Sequence, residues 1–298
     1  LYAQEASKSV SLFPALADWT PQRSVEDMDA GGVETAILSM STPGVWFGDD
    51  QAARTLARIC NDYMARMVAD HRGRFGFFAT VPMPDIEGSL KEIEYALDTL
   101  KVQGFGIMTS HGNHWLGDPL FTPVFEELNR RKAIIYTHPT AAPCCRDLIP
   151  GLNPTAIEYH TDTTRAIMSW IASGSAKRFP DIQWIHSHGG GTLPILAGRV
   201  LGRNAELRGE AEPGSTLAFL RKYYYDTRHI DNWASSAATK RMFGASQLLF
   251  GYFDIPVADG DYDGVREFRK LEDTGEFTAD ELRGIARGNA LRLFPQFA

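Results

Sequence analysis

The chain has 298 residues, 44% hydrophobic and 22% charged, an ordinary composition for a globular protein and unlike that of a fibrous or disordered one. Its formal charge is −7 with the basic residues scattered, and no apolar run approaches the ~18 residues of a membrane span. Neither nucleic acid nor a bilayer is therefore an expected partner, and a small molecule is.

Short apolar runs alternate with longer amphipathic ones. Strands are expected at 33–41, 74–83, 104–110, 133–139, 182–188, 223–228 and 247–251, each rich in β-branched or aromatic residues and closed by Gly, Pro or Ser. Helices are expected at 49–71 and 89–101, where apolar residues recur at three and four. Another is expected at 118–131, where Asp118 precedes Pro119 as a cap before a first-turn proline. Further helices are expected at 156–173, 193–206, 232–243 and after Asp263.

Strand and helix alternating seven times imply a parallel sheet, and the expected fold is a single α/β domain over residues 1–298, a (β/α)8 TIM-type barrel. Seven strands are one short, so the first is expected upstream of Leu1, and 141–154 reads as a loop overhanging the mouth. The three cysteines form no disulfide framework, which makes the reducing cytoplasm the default compartment. Cys144 and Cys145 are adjacent, lack the spacer of a zinc site, and read as loop or packing cysteines.

In such a barrel, catalytic side chains stand at the C-terminal strand ends. Ser39, Ser41, Thr109, Ser110, His138, His188, Asp226 and Asp254 occupy those ends. Two histidines and Asp254 converging on one rim form a donor set for a borderline divalent metal. Taken singly, a strand-end histidine is more often structural and an aspartate there a turn former, so it is their recurrence that points to a site. His71, His111, His114, His160 and His229 read as weaker candidates. His186 and His188 lie one residue apart, which on a strand puts both on one face, pointing inward, with His186 a layer lower as a satisfied interior residue.

The segments MDAGGVETAILSMSTPGV, RFGFFATVPMPD, LGDPLFTPVFEELNRR, IIYTHPT, DTTRAI, SHGGGTLP and RGNALRLFP resemble the amidohydrolase-related decarboxylases. This is the branch around aminocarboxymuconate-semialdehyde decarboxylase and the γ-resorcylate and 6-methylsalicylate decarboxylases, and the resemblance runs along essentially the whole chain. It implies one divalent metal, zinc ahead of manganese, held by His138 and Asp254 together with a first-strand His-x-His or Glu-x-His pair. It also implies that His188, before the three glycines, is the acid/base. No first-strand pair is present between Leu1 and the first helix, and Gly251 to Pro256 is one residue longer than the family's last-strand motif, so Asp254 needs a bulge to face inward.

The implied reaction is non-oxidative decarboxylation of a small hydroxybenzoate-like acid. A proton reaches the carbon bearing the carboxylate from Asp254 or a metal-held water, relayed by His188, and CO₂ departs. Trp46 and Trp115 are expected to line the substrate. Arg199 matches an arginine that in related decarboxylases reaches the neighbouring subunit's substrate, which makes a homodimer the expected working unit, with a helix-surface salt bridge as the bland alternative for Arg199. The alternatives are a metal-dependent lactone or amide hydrolase, a hydratase, and a metal-poor non-catalytic homologue.

Overall fold

A computed structural model describes residues 19–145, 148–202, 204–251 and 264–298. Seven strands form one parallel sheet in sequential order: β1 (Ala36–Leu38), β2 (Phe75–Thr80), β3 (Gly104–Met108), β4 (Ile134–His138), β5 (Gln183–His186), β6 (Tyr224–Asp226) and β7 (Leu248–Leu249). Every expected strand forms, trimmed at its ends. β1 keeps three of its nine expected residues and, among the described residues, pairs only with β2.

Seven longer helices accompany the strands among the described residues: α1 (Pro21–Ala30), α2 (Asp50–Asp70), α3 (Ile86–Tyr95), α4 (Thr122–Arg130), α5 (Glu158–Ala172), α6 (Trp233–Phe243) and α7 (Gly264–Asp273), the last as expected after Asp263. Thr20, Asp49, Asp85 and Asn232 cap four of them by accepting a backbone N–H from the first turn. Asp118 accepts from Leu120 N as expected, opening the short helical turn that leads into α4. The helix expected over 193–206 instead divides into Ala197–Val200 and Asn204–Leu207. The chain is extended at Leu201 between them, beside Gly202, whose backbone freedom opposes helix.

The two faces of the sheet bury different partners. Phe77, Ala79, Phe105, Ile107, Ile135, Trp184, Tyr225 and Leu248 pack outward against the helices. Phe78, Ile134, Tyr136, Ile185, Tyr224 and Leu249 face the other way and meet Leu293, Phe294 and Phe297 of the C-terminal segment. That segment touches both ends of the sheet: Arg287 pairs with Glu34 just before β1 at 3.0 Å, while Phe250 N donates to Ile285 O at 3.0 Å after β7. A flat seven-stranded sheet would hold its first and last strands roughly 29 Å apart at ~4.8 Å per step, so the sheet is curled around these inner side chains. The outer layer includes Trp170, whose ring lies 4.8 Å from both Phe125 and Trp184. Such aromatic pairs are worth about 0.5–1.5 kcal/mol each beyond area burial.

Candidate active site

The curl brings the C-terminal ends of β4, β5 and β6 around one group of histidines. His138 closes β4, and its Nδ1 lies 2.8 Å from the Pro139 carbonyl. A carbonyl only accepts, so Nδ1 carries the proton and Nε2 is left with its lone pair, the arrangement a metal-binding imidazole requires. Burial pushes His138 down to about 4, keeping it neutral near pH 7.

His188 stands 6.3 Å, ring to ring, from His138. It is 8% exposed, and its Nδ1 has no hydrogen-bond partner among the described residues. Burial first, then the neighbouring His138, His229 and His160, hold it well below the usual imidazole range. His160, near the start of α5, stacks on His188 at 5.0 Å, and His229 lies 5.0 Å from it on another side. Neither His160 nor His229 stood out in the sequence. His229 closes its run just as His138 and His188 do, and that was the available signal; His160 sits on a helix, where only the tertiary fold could bring it here.

The backbone at His188 is left-handed, φ 56°, and Gly189, Gly190 and Gly191 continue at 58°, 77° and 70°. A Cβ on Gly191 would lie 2.1 Å from the His160 carbonyl oxygen, and one on Gly189 would lie 2.4 Å from Ile230. The three glycines therefore permit a left-handed turn in close contact with α5. This turn corrects the expectation for His186. Trp184 and His186 share the outward face of β5, and His186 stacks on Trp184 at 5.4 Å and bonds Thr137 Oγ1 at 3.1 Å in the helix-side layer. β5 ends at His186, and the turn that follows re-aims His188 at the site, so alternation along a strand does not carry over between the two.

Asp226, at the end of β6, braces the turn. Its Oδ1 accepts the backbone N–H of His188 at 2.7 Å and of Arg228 at 3.0 Å, and Oδ2 accepts Tyr136 OH at 3.0 Å. Burial raises its pKa to about 6 despite these three donors. On the other side, buried Asp162 of α5 accepts from Thr109 Oγ1 at 2.5 Å, Ser110 Oγ at 2.9 Å and Trp115 Nε1 at 2.8 Å, tying α5 to the end of β3.

Beside the histidines, over the ends of β2 and β3, lies a cavity of ≈ 190 Å³. Trp46, Thr80, Met108, Ser110, His111 and Thr140 contribute to its wall. His138 and His188 are not among its lining residues; it adjoins β4 through Thr140, two residues past His138, and through Met108, which pairs with His138 across β3 and β4. The structure thus brings together His138 and His188 and places Trp46 on the cavity wall. Trp115 sits on the β3 side with its indole held by Asp162. Arg199 is exposed on the short helix Ala197–Val200. Asp254 lies outside the described residues, and among the described residues no three His, Cys, Asp or Glu side chains are grouped to hold a metal ion. No described helix is long and apolar enough to cross a membrane.

Neutral histidines at the C-terminal ends of a sequential, curled parallel sheet, next to a cavity for a small molecule, define an α/β protein of the TIM-like kind with a strand-end site. The chain belongs to the amidohydrolase family, whose sequence profile matches residues 15–296. Decarboxylase yanB of Aspergillus niger is 36% identical to it, over 95% of this chain and 80% of that one. 6-Methylsalicylic acid decarboxylase of Penicillium expansum is 33% identical, over 89% and 82%. The crystal structure of a dihydroxybenzoic acid decarboxylase from Polaromonas, with manganese and 2-nitroresorcinol bound, has the same fold: TM-score 0.82, 24% identity, covering 99% of this chain and 93% of that one.

Proposed function

We propose that the chain is a metal-dependent carboxy-lyase that removes CO₂ from a small hydroxybenzoate-like acid. The observation that carries the reading is the pairing of His138, whose Nε2 lone pair is left free by the Nδ1 bond to Pro139, with a neutral, buried His188 next to it. The named activities of the two relatives select decarboxylation from the reactions this fold supports.

His138 would hold the metal together with Asp254, and the ion, zinc or the manganese of the Polaromonas structure, would supply Lewis-acid charge for the substrate's oxygens. His188 takes a proton from solvent and passes it to the ring carbon that bears the carboxylate. The C–C bond to the carboxylate then breaks, its electron pair returns to the ring, and CO₂ leaves. Imidazolium formed in a buried site is a strong acid, which suits protonation of carbon. Trp46 offers a flat face to the aromatic ring, and Trp115 supports that wall through Asp162. The left-handed glycine turn keeps bulky side chains away from His188.

The same reading includes an eighth strand that completes a single barrel domain, a cytoplasmic enzyme, and a homodimer in which Arg199 reaches the neighbouring subunit's substrate carboxylate. A bidentate guanidinium suits that task. The test is incubation of the metal-reconstituted full chain with 6-methylsalicylate, 2,6-dihydroxybenzoate and 5-carboxyvanillate, with released CO₂ measured. CO₂ from at least one, with KM raised in a dimeric Arg199→Ala variant, is expected. Absence of CO₂ from all three, with hydrolysis of lactones or amides instead, would overturn the decarboxylase reading.

A further inference from the structure

The adjacent thiols Cys144 and Cys145 have no part in the chemistry above, yet their surroundings are specific. They end the helical turn Pro143–Cys145, whose Pro143 lines the cavity and whose Cys145 N donates to Ala142 O at 2.9 Å. Cys144 is exposed and Cys145 half-buried. Arg165 of α5 donates from Nη2 to Cys145 Sγ at 3.7 Å, while its Nη1 pairs with Glu158 at 3.2 Å and reaches Asp162 at 3.8 Å. The turn is thereby linked through Arg165 to the same first turns of α5 that carry Tyr159 and His160 against His138 and His188.

We propose that Cys144 and Cys145 form a vicinal dithiol that peroxide closes reversibly to a disulfide, an oxidant-responsive modification site beside the substrate cavity. In the first step the exposed Cys144, as thiolate, attacks one peroxide oxygen. The O–O bond breaks, Cys144 becomes a sulfenic acid, and the other oxygen leaves as hydroxide, which takes a proton to become water. In the second step Cys145 Sγ attacks the sulfenic sulfur, the S–O bond breaks, and that oxygen leaves as a second water. Two thiols and one hydrogen peroxide give one disulfide and two waters.

Cys145 is suited to the second role. Its hydrogen bond with Cys144 and its burial both raise its pKa, which leaves the first attack to Cys144; in the second step the Cys145 proton goes to the departing oxygen and completes the second water. Neighbouring Cα atoms are about 3.8 Å apart, below the roughly 4.4–6.8 Å usual for disulfides. The ring so formed is strained, and strained disulfides are the readily reduced, regulatory kind. Closing it pulls Cys145 Sγ from Arg165 and reshapes the turn at Pro143, so the cavity wall and the α5 start are disturbed together.

The full-length protein is treated with hydrogen peroxide and then with a thiol reductant, with intact mass and alkylation of each cysteine followed. The expected product is a monomer lighter by two hydrogen atoms, with Cys144 and Cys145 protected, Cys60 still alkylated, and full reversal on reduction. Phenylarsine oxide should load once on the reduced protein and not at all on the oxidised one. Cys144→Ser and Cys145→Ser should each abolish both products. Oxygen-adduct masses without the loss of two hydrogens, or that loss surviving in Cys144→Ser, would overturn the assignment. For the coupling, the dissociation constant for 2-nitroresorcinol should weaken at least threefold on oxidation in the wild type and remain constant in both serine variants. Equal affinities before and after oxidation would overturn it. The mass result is independent of the decarboxylase reading, so the two can fail separately.

Discussion

His188 is held in place by interactions that leave its ring free to act. Asp226 fixes its backbone N–H, His160 stacks on its face, and Nδ1 keeps no partner among the described residues. A ring positioned through its backbone and its faces can exchange protons without breaking the contacts that orient it. His188→Gln should therefore lower turnover by ~10²–10⁴, the usual value of a general acid or base, while metal content and thermal midpoint stay near wild type. Near-normal turnover in a folded, metal-loaded variant would remove His188 from the chemistry. At this scale the sequence was informative wherever a histidine closed an apolar run, as His138 and His188 do. It misled at His186, because a left-handed residue after the strand breaks the two-residue alternation, and nothing in the residue order reports the sign of φ at a histidine. It was silent on His160, which the tertiary fold brings to His188 where α5 packs on the glycine turn and Thr164 bonds Thr192 at 2.9 Å.

The element that joins these residues is the turn from His188 to Gly191. Four consecutive left-handed residues are tolerable because three lack a Cβ, and the cost at His188 itself is of the order of 1–3 kcal/mol. Gly191→Ala adds a left-handed alanine and drives its Cβ against the His160 carbonyl oxygen. That oxygen belongs to helix backbone and cannot swing aside, so turn and α5 must separate. Gly191→Ala should lower stability by about 3 kcal/mol or more and reduce turnover by displacing His160 from His188. Gly198→Ala makes the contrast: it lies in the helix Ala197–Val200, and an added Cβ would meet nothing within 4 Å. It should be neutral or stabilising by up to about 1 kcal/mol. Urea denaturation of both variants checks the pair, and equal midpoints would refute the account of the turn. Elements were legible wherever periodicity and caps agreed, as in α2, α4 and α6. Between 193 and 206 periodicity alone suggests one helix, and the extended Leu201 with Gly202 beside it divides it.

The whole molecule couples this site to acid stability. The order of seven strands could be read from the alternation of apolar and amphipathic runs; the curl could not, because it depends on how Phe294 and Phe297 fill the inner face and how 285–289 reaches both β7 and the residues before β1. Folding around that inner face and the helix layer buries titratable groups with opposing effects. Burial pushes His186 down to about 3 and His111 and His138 to about 4 from 6.5. Each takes up a proton more readily in the unfolded chain, so its contribution to stability is present above pH 6.5 and is lost as the pH falls toward the folded value. Asp226, raised from 3.8 to about 6, has the reverse sign: it penalises the fold at neutral pH and relieves that penalty as the pH falls through 6. At about 1.4 kcal/mol per pH unit, acidification from 6.5 to 4.5 withdraws about 3 kcal/mol through His186 and about half that through each of the part-exposed His111 and His138. Asp226 returns about 2 kcal/mol. The histidines win by about 4 kcal/mol, a large share of the 5–15 kcal/mol typical of a folded domain. The urea midpoint should therefore fall steeply between pH 7 and pH 4.5. Asp226→Asn, which removes the opposing group, should make that fall steeper, and His186→Gln should make it shallower by about 3 kcal/mol. A midpoint unchanged over this range, or a fall left unaltered by both variants, would show that these buried groups do not govern the acid limit of the fold.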